Sequence, residues 1–445
     1  MLTTYVVLAV LVVIAGIIFL LLNKPLFYGL ALIAAPLVVV IVTHPKLAMG
    51  QFLFCLFIEY PLLPSVPLFL IDISAMLVIA AAVIDVLTSD RLPRKLPAMG
   101  LNYLYIFAAF AVTGILGYFP HLLPMRLATL TLLIATFFSL FRLMSHMRLS
   151  TMLHAYFGLA VVHGLYTVLP FVMAGGRIRA FGLAGVLFDD LMVIAVTLGV
   201  ALYLAAPRGR AGWYLAGLGV VTMALIGTQS RLSIMFGAFF AVVTMVIAWR
   251  RGRREGASGN VGHVLRTRLQ VLTAGHLFTD AVARFEQLED TTGRYSTVGH
   301  RLRLWSRAWM IFLDHPILGL GPGGYYNFQQ VYSTGHLMPM WYYYRTLGAH
   351  NVFLHYLAIS GLIGGIGLLA LMINQFRHAR RAWLRAVDGL QVQSTLALYG
   401  LAILLLVTSL TEGNWMWGQL SFLTAFVLAA IAQQSWLGGE RESEV

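Results

Sequence analysis

GHRLRLWSRAW (residues 299–309), HPILGLGPGGYYNF (315–328) and WYYYRTLGAHN (341–351) lead directly into an apolar run that lasts to residue 373. Arginines, histidines and closely set glycines thus stand beside a hydrophobic segment long enough to cross a bilayer. A helix needs ~20 apolar residues to span ~30 Å of hydrocarbon. Any chemistry this chain performs is expected here, at a membrane surface.

The rest of the chain agrees with that setting. Of 445 residues, 60% are hydrophobic and only 11% are charged, against about 25% charged in soluble domains. Mean hydropathy is +0.83. Apolar segments fall at 3–22, 26–43, 46–59, 67–88, 101–118, 122–141, 152–173, 181–205, 212–226, 232–249, 350–373, 394–411 and 418–436. The fold class is therefore an all-α polytopic membrane protein with about 12–14 transmembrane helices. The expected division is an N-terminal bundle (1–249), a basic segment (250–349), C-terminal helices (350–436) and a polar tail (437–445).

A net charge of +13 in a soluble protein would point to nucleic acid. Here most of the basic residues lie in short loops between spans, where orientation in the membrane accounts for them and no nucleic-acid partner is expected. Arg91, Arg94, Lys95, Arg142, Arg148, Arg208, Arg210, Arg250, Arg251, Arg377, Arg380 and Arg381 mark the cytoplasmic side, with the N-terminus inside and the loops at 175–179 and 228–231 outside. Met1 lacks a basic region before its apolar run, so 1–22 reads as a first span. Parity then demands a second crossing between about 255 and 285, for which the amphipathic HVLRTRLQVLTAGHLFTDAVARF is the candidate; an interfacial helix is the alternative. Residues 286–349 become one large outside loop. The single Cys55 allows no internal disulfide.

Charges at membrane depth are costly and usually have a reason. Glu59 and Glu412 stand near turns, where snorkelling suffices, whereas Asp72 and the pair Asp189/Asp190 are harder to dismiss. For that pair, structural partnering with an arginine ranks ahead of catalysis. The arginines facing outside are the stronger signal, because the positive-inside bias disfavours them. Arg231 opens a span in GTQSRLSIMF, and Arg179 stands at the mouth of another in GGRIRAFG, with Arg177 as its competitor. Arg301, Arg303 and Arg307 follow in the loop, Arg301 and Trp305 one helical turn apart. Guanidinium forks suit a phosphate and need no metal; pairing with Asp189, Asp190, Glu286, Glu289 or Asp290 is the structural alternative.

Gly319, Gly321 and Gly324 spell GxGxxG, but no strand precedes them, so the dinucleotide reading fails. They are expected to form a tight turn with exposed N–H groups that touch a ligand. His350 and His355 are five residues apart, about 140° around a helix, and with no cysteine cluster or HExxH a zinc site is not expected. His350 itself stands where the loop re-enters the membrane, where an imidazole suits a general base, although a hydrogen-bonded surface role fits the same position.

These pieces, in order, resemble the O-antigen ligase/polymerase superfamily of integral-membrane glycosyltransferases. The order is Ser230-Arg231 at a span start, Arg301 with Trp305, HPxLGxGPGGY from His315 to Tyr325, then His350-Asn351 opening a span with Gly361, Gly364 and Gly365 beyond. The resemblance implies a GT-C-like helical fold with a large periplasmic loop in the bacterial inner membrane. It implies metal-independent, inverting transfer from an undecaprenyl-diphosphate-linked glycan, without a cofactor. It places the base on His350 and the diphosphate on Arg231, Arg301 and Arg179, with Arg303, Tyr325, Asn351 and Asp190 in support. Phe188-Asp189-Asp190 stands where many relatives carry Pro-Asn. The acceptor is a second lipid-linked glycan in a polymerase, the favoured reading, or lipid A-core in a ligase. Polysaccharide-export machinery is a possible partner. A lipid-linked-glycan transporter is the alternative of another class, although no internal repeat of the kind transporters show is visible.

Overall fold

A computed structural model describes residues 37–58, 61–63, 66–89, 97–173, 183, 188–206, 208–254, 297–325, 348–387, 389–410 and 419–443. The candidate crossing at 255–285 lies outside the described residues. The described chain is a helical membrane bundle. Its helices are α1 (Leu37–Thr43), α2 (Pro45–Cys55), α3 (Leu70–Thr88), α4 (Ala98–Leu116), α5 (Leu123–Leu143), α6 (Leu149–Met173), α7 (Phe188–Leu204), α8 (Ala211–Gly227), α9 (Arg231–Arg254), α10 (Thr297–Asp314), α11 (Val352–Arg385), α12 (Gly389–Thr408) and α13 (Gln419–Ser443).

Among the described residues, seven helices are long and apolar enough to cross a membrane, or eight if the bent pair α1 and α2 forms one span. Helix α7 has 17 residues and is buried without interruption from Leu191 to Leu204, which makes it the central helix. The all-α polytopic class is as expected. A small antiparallel hairpin, β1 (Pro61–Leu63) with β2 (Val66–Phe69), is an addition to it.

The segment 46–59 begins at a corner: the chain bends by 112° between α1 and α2, and α2 has 11 residues, about 16 Å of helix. Proline explains the bend. Pro45 has no N–H to donate and pushes His44 out of the helical region, to φ −122° and ψ 98°. Ala48, Met49, Phe52 and Leu53 of α2 are then buried, and α2 packs on α3 and α6.

The bundle has two distinct ends. At one, Arg142 Nε donates to Asp85 Oδ2 at 2.6 Å and His146 Nε2 lies 2.8 Å from Asp85 Oδ1, joining the last turns of α3 and α5. At the same end Arg251 Nη1 donates to the Trp383 carbonyl at 2.6 Å and its guanidinium stacks 4.6 Å over the Trp383 ring. Gln393 Nε2 donates to the Leu202 carbonyl at 2.8 Å, bringing the start of α12 to the end of α7. Basic residues assigned to one side by the positive-inside bias thus gather at one end. The starts of α7, α9 and α11 and the end of α12 lie at the other, the site end. Between the ends, small residues admit close packing: Gly199 and Gly217 both face Phe157, and Gly400 faces Thr244 and Thr197.

The site end depends on a break in α11. Gly361 has φ 56° and ψ −154° inside the helix, a region essentially reserved for glycine. In an unbroken helix the Ala358 and Ile359 carbonyls would accept from Leu362 and Ile363. Here they accept instead from Leu320 N (3.0 Å) and Gly321 N (2.9 Å), while Leu362 N and Ile363 N donate to the Pro316 (2.8 Å) and Ile317 (3.5 Å) carbonyls. The turn 316–321 thus takes over the hydrogen bonds that the break releases. Its other side is fastened to α4, where Tyr118 N donates to the Leu320 carbonyl at 3.2 Å.

A side chain at residue 361 would overlap the Ile317 carbonyl, whereas one at Gly158 on α6 would meet nothing within 4 Å. Gly361→Ala is expected to lower the apparent melting temperature of the detergent-solubilised protein by roughly 3 °C or more. Gly158→Ala should hold or raise it, since alanine favours a helix by ~1 kcal/mol over glycine. Equal melting of both variants would contradict the interlocked break.

Candidate active site

Helix α10 carries a buried face, an exposed apolar stripe and two flanks between them. Leu304, Ala308 and Ile311 are fully buried, at positions one and two turns apart, and dock the helix on α11. Leu302, Trp309 and Leu313 form an exposed apolar stripe on roughly the opposite side. At ~100° per residue, Arg301 and Trp305 share one flank and Arg303 and Arg307 the other. Arg301 therefore stands with Trp305, and Arg303 does not.

Trp305 points at the proposed base. Its indole Nε1 donates to the His350 carbonyl at 3.4 Å. His350 adopts the left-handed region at φ 47°, uncommon for a residue other than glycine though less so for histidine. Directly after it, Asn351 caps α11: its Oδ1 accepts from Leu354 N at 3.0 Å, and its Nδ2 donates to the Leu410 carbonyl at 2.9 Å. Val352 N adds a bond to the Ser409 carbonyl at 2.8 Å. The corner at 350–351 is thus fastened to α10 on one side and to the end of α12 on the other. His350 remains partly exposed.

Tyr325 supports this corner from below. It is fully buried, its hydroxyl donates to the Leu304 carbonyl at 3.2 Å, and its ring meets His355 edge-on at 5.0 Å. His355 is itself buried and lies within electrostatic reach of both His350 and Arg126. Since His350 precedes the cap, the two histidines do not share a helical face.

The glycines correct an expectation. Residues 319–324 are buried, and the N–H groups of Gly319, Gly321 and Gly324 donate to the His315, Ile359 and Gly321 carbonyls. They are not an exposed ligand cradle. Their role is contact between backbones: a Cβ on Gly319, at φ +62°, would sit 2.5 Å from the backbone of Ile359 and Ser360. Sequence order alone could not show that a second backbone lies there.

The remaining candidates belong to α7 and α9. Asp189 Oδ1 accepts from Asp190 N at 3.1 Å, and its Oδ2 accepts from Ser233 Oγ at 2.8 Å. Ser233 in turn lies 2.8 Å from Ser230 Oγ. This chain of polar groups joins the first turns of α7 and α9 and fixes the backbone of Arg231, the first residue of α9. Asp190 is half-buried beside it. The Arg231 side chain and the whole of Arg179 and Arg177 lie outside the described residues. Ser233 and Arg126 were not anticipated. Arg126 had a legible signal, an arginine near the non-basic end of an expected span, the same sign that singled out Arg231.

The site is thus a polar corner at one end of a helical membrane bundle, built around a histidine and an asparagine cap, with Arg301 on the adjoining helix. In comparisons with known proteins, the family model described as O-Antigen ligase matches residues 191–369, from α7 into α11. Across that segment the chain is similar to the O-antigen ligase/polymerase type of membrane glycosyltransferase, as the motif order implied. Arg231, Arg301, Trp305 and His350 fall inside the match; Arg126, Arg179 and Asp190 fall before it. A search of curated proteins finds no matching relative.

The cap is testable by itself. Asn351→Ala should cost about 1–2 kcal/mol of stability in thermal or chemical denaturation. Asn351→Asp, which keeps the cap acceptor and loses only the donor to Leu410, should cost less. If both variants were equally destabilised, the cap would not be the dominant contribution.

Proposed function

We propose that this protein is a glycosyltransferase that moves a glycan from undecaprenyl diphosphate to an acceptor hydroxyl. The reaction takes place at the periplasmic face of the bacterial inner membrane. The observation that carries the reading is the partly exposed His350, held by Trp305 and Asn351, inside a segment that matches the O-antigen ligase family.

The chemistry follows from the groups present. The acceptor oxygen attacks the anomeric carbon from the face opposite the diphosphate, a new carbon–oxygen bond forms, and the bond to the diphosphate oxygen breaks with inversion. His350 takes the acceptor's proton as the nucleophile attacks. Undecaprenyl diphosphate leaves with the bonding electrons, and its growing charge is met by guanidinium groups aimed at it. Arg301, on the flank of Trp305, and Arg231, at the start of α9, supply that charge, with Arg179 as a further contributor and no metal required. Tyr325 and Asn351 hold the corner in place, and the Asp189–Asp190 pair steadies the start of α9. Arg303, on the other flank of α10, has at most a peripheral role.

The acceptor is proposed to be a second lipid-linked glycan, making the protein an O-antigen or exopolysaccharide polymerase working beside export machinery. The matching family's description favours the second reading, a ligase that transfers to lipid A-core. Purified protein with a lipid-linked glycan distinguishes them: a ladder of lengthened glycans marks a polymerase, and single transfer to lipid A-core a ligase.

His350→Ala is expected to lower kcat by about 10²–10⁴-fold with the protein still folded. Trp305→Phe, which keeps the ring but loses the N–H, should lower kcat several-fold. Full transfer by His350→Ala would sink the enzymatic assignment, and glycan translocation without new bonds would favour transport instead.

A further inference from the structure

Arg126 stands in the first turn of α5. Leu123 and Leu130, three residues before it and four after it, are buried, and Leu127 packs against the core. Arg126 therefore shares the inward face of its helix, half-buried. A guanidinium on the inner face of a membrane helix is costly and marks function more often than packing. Its position in the first turn also opposes the helix dipole.

Helical side chains lean toward the N-terminus, and for Arg126 that direction leads to the candidate site. Leu123 rests against Gly114, and a Cβ on Gly117 would sit 2.7 Å from the Leu320 carbonyl. Phe119 would lie 3.4 Å from a Cβ on Gly324. The next residue, Tyr325, meets the His355 ring at 5.0 Å. Arg126 and His350 both lie within electrostatic reach of His355. The junction of α4 and α5 thus packs directly on the turn that supports the His350 corner.

Arg126 on α5 and the His350 corner at the start of α11 thus meet at one junction. A guanidinium brought to that corner suits a diphosphate, since it offers both a fixed charge and a fork of N–H donors. We propose that Arg126 is a further binding residue for the donor's diphosphate, supplied by a helix outside the family-matched segment. The inference rests on the glycosyl-transfer reading and extends it. The diphosphate is held from the α5 side as well as from α9 and α10, so the site needs the N-terminal bundle. A lipid headgroup phosphate offers the same chemistry, and the test separates the two sources.

The full chain, purified into phosphatidylcholine nanodiscs, is assayed for donor KM and kcat and for inhibition by inorganic diphosphate. Arg126→Gln and Arg126→Ala are expected to raise donor KM and weaken diphosphate inhibition about tenfold or more. Arg126→Lys should recover part of both. A purely structural role would lower the amount of folded protein or kcat without moving diphosphate inhibition, and that outcome overturns the proposal. So does an effect that appears only when phosphatidylglycerol is added, which would identify a lipid headgroup as the anion. Direct calorimetric binding of inorganic diphosphate to wild type and Arg126→Gln decides the matter independently of turnover. A His350→Ala protein that still transfers glycan would refute the glycosyl-transfer reading. Unchanged diphosphate binding by Arg126→Gln, with His350→Ala inactive, would refute only the role of Arg126.

Discussion

The site end rests on an exchange of backbone hydrogen bonds. A helix broken at Gly361 leaves two carbonyls and two N–H groups without their helical partners, and in a bilayer none of them can turn to water. Each such group left unpaired costs several kcal/mol. The segment 316–321 supplies both missing donors and both missing acceptors, so the break and the turn exist only together. From this joint the rest follows. The turn leads to Tyr325, Tyr325 ties α10 through the Leu304 carbonyl, and α10 presents Trp305 to His350. The motif HPxLGxGPGGY is thus a docking device that determines where α10 lies relative to the histidine.

The two ends of the bundle divide the work. At the basic end, charges are satisfied locally: Asp85 holds Arg142 and His146, and Arg251 closes the last carbonyls of α11 while stacking on Trp383. These contacts fasten α3 to α5 and α9 to α11. At the site end, α5, α9 and α10 each carry an arginine in their first or second turn, and the carboxylate Asp189 accepts from Ser233. The same residue type is therefore structural at one end and proposed as anion-binding at the other, and the difference lies in what surrounds it.

Much of this was legible in the sequence, for identifiable reasons. Hydropathy marks the long helices because lipid permits little else, and His350-Asn351 marks where the chain re-enters the membrane. Arg301 and Trp305 share a flank because a helix repeats near 3.6 residues. Two features were not legible. The break at Gly361 was hidden because glycine is common in membrane helices, and only the opposing backbone of 316–321 makes this one indispensable. The glycines of that turn invited a ligand-binding reading, yet their N–H groups belong to the protein. Arg126 was legible as an arginine near the non-basic end of an expected span, but no motif accompanies it.

The account's central claim is that the corner around His350 is where the diphosphate of a lipid-linked donor sits. The most direct test is an electron cryo-microscopy structure of the full chain in nanodiscs with undecaprenyl diphosphate. The account predicts diphosphate density at the site end, beside His350 and within hydrogen-bonding distance of the Arg126 and Arg301 guanidinium groups. Density at the basic end near Arg142 and Arg251, or a diphosphate remote from His350, would contradict it.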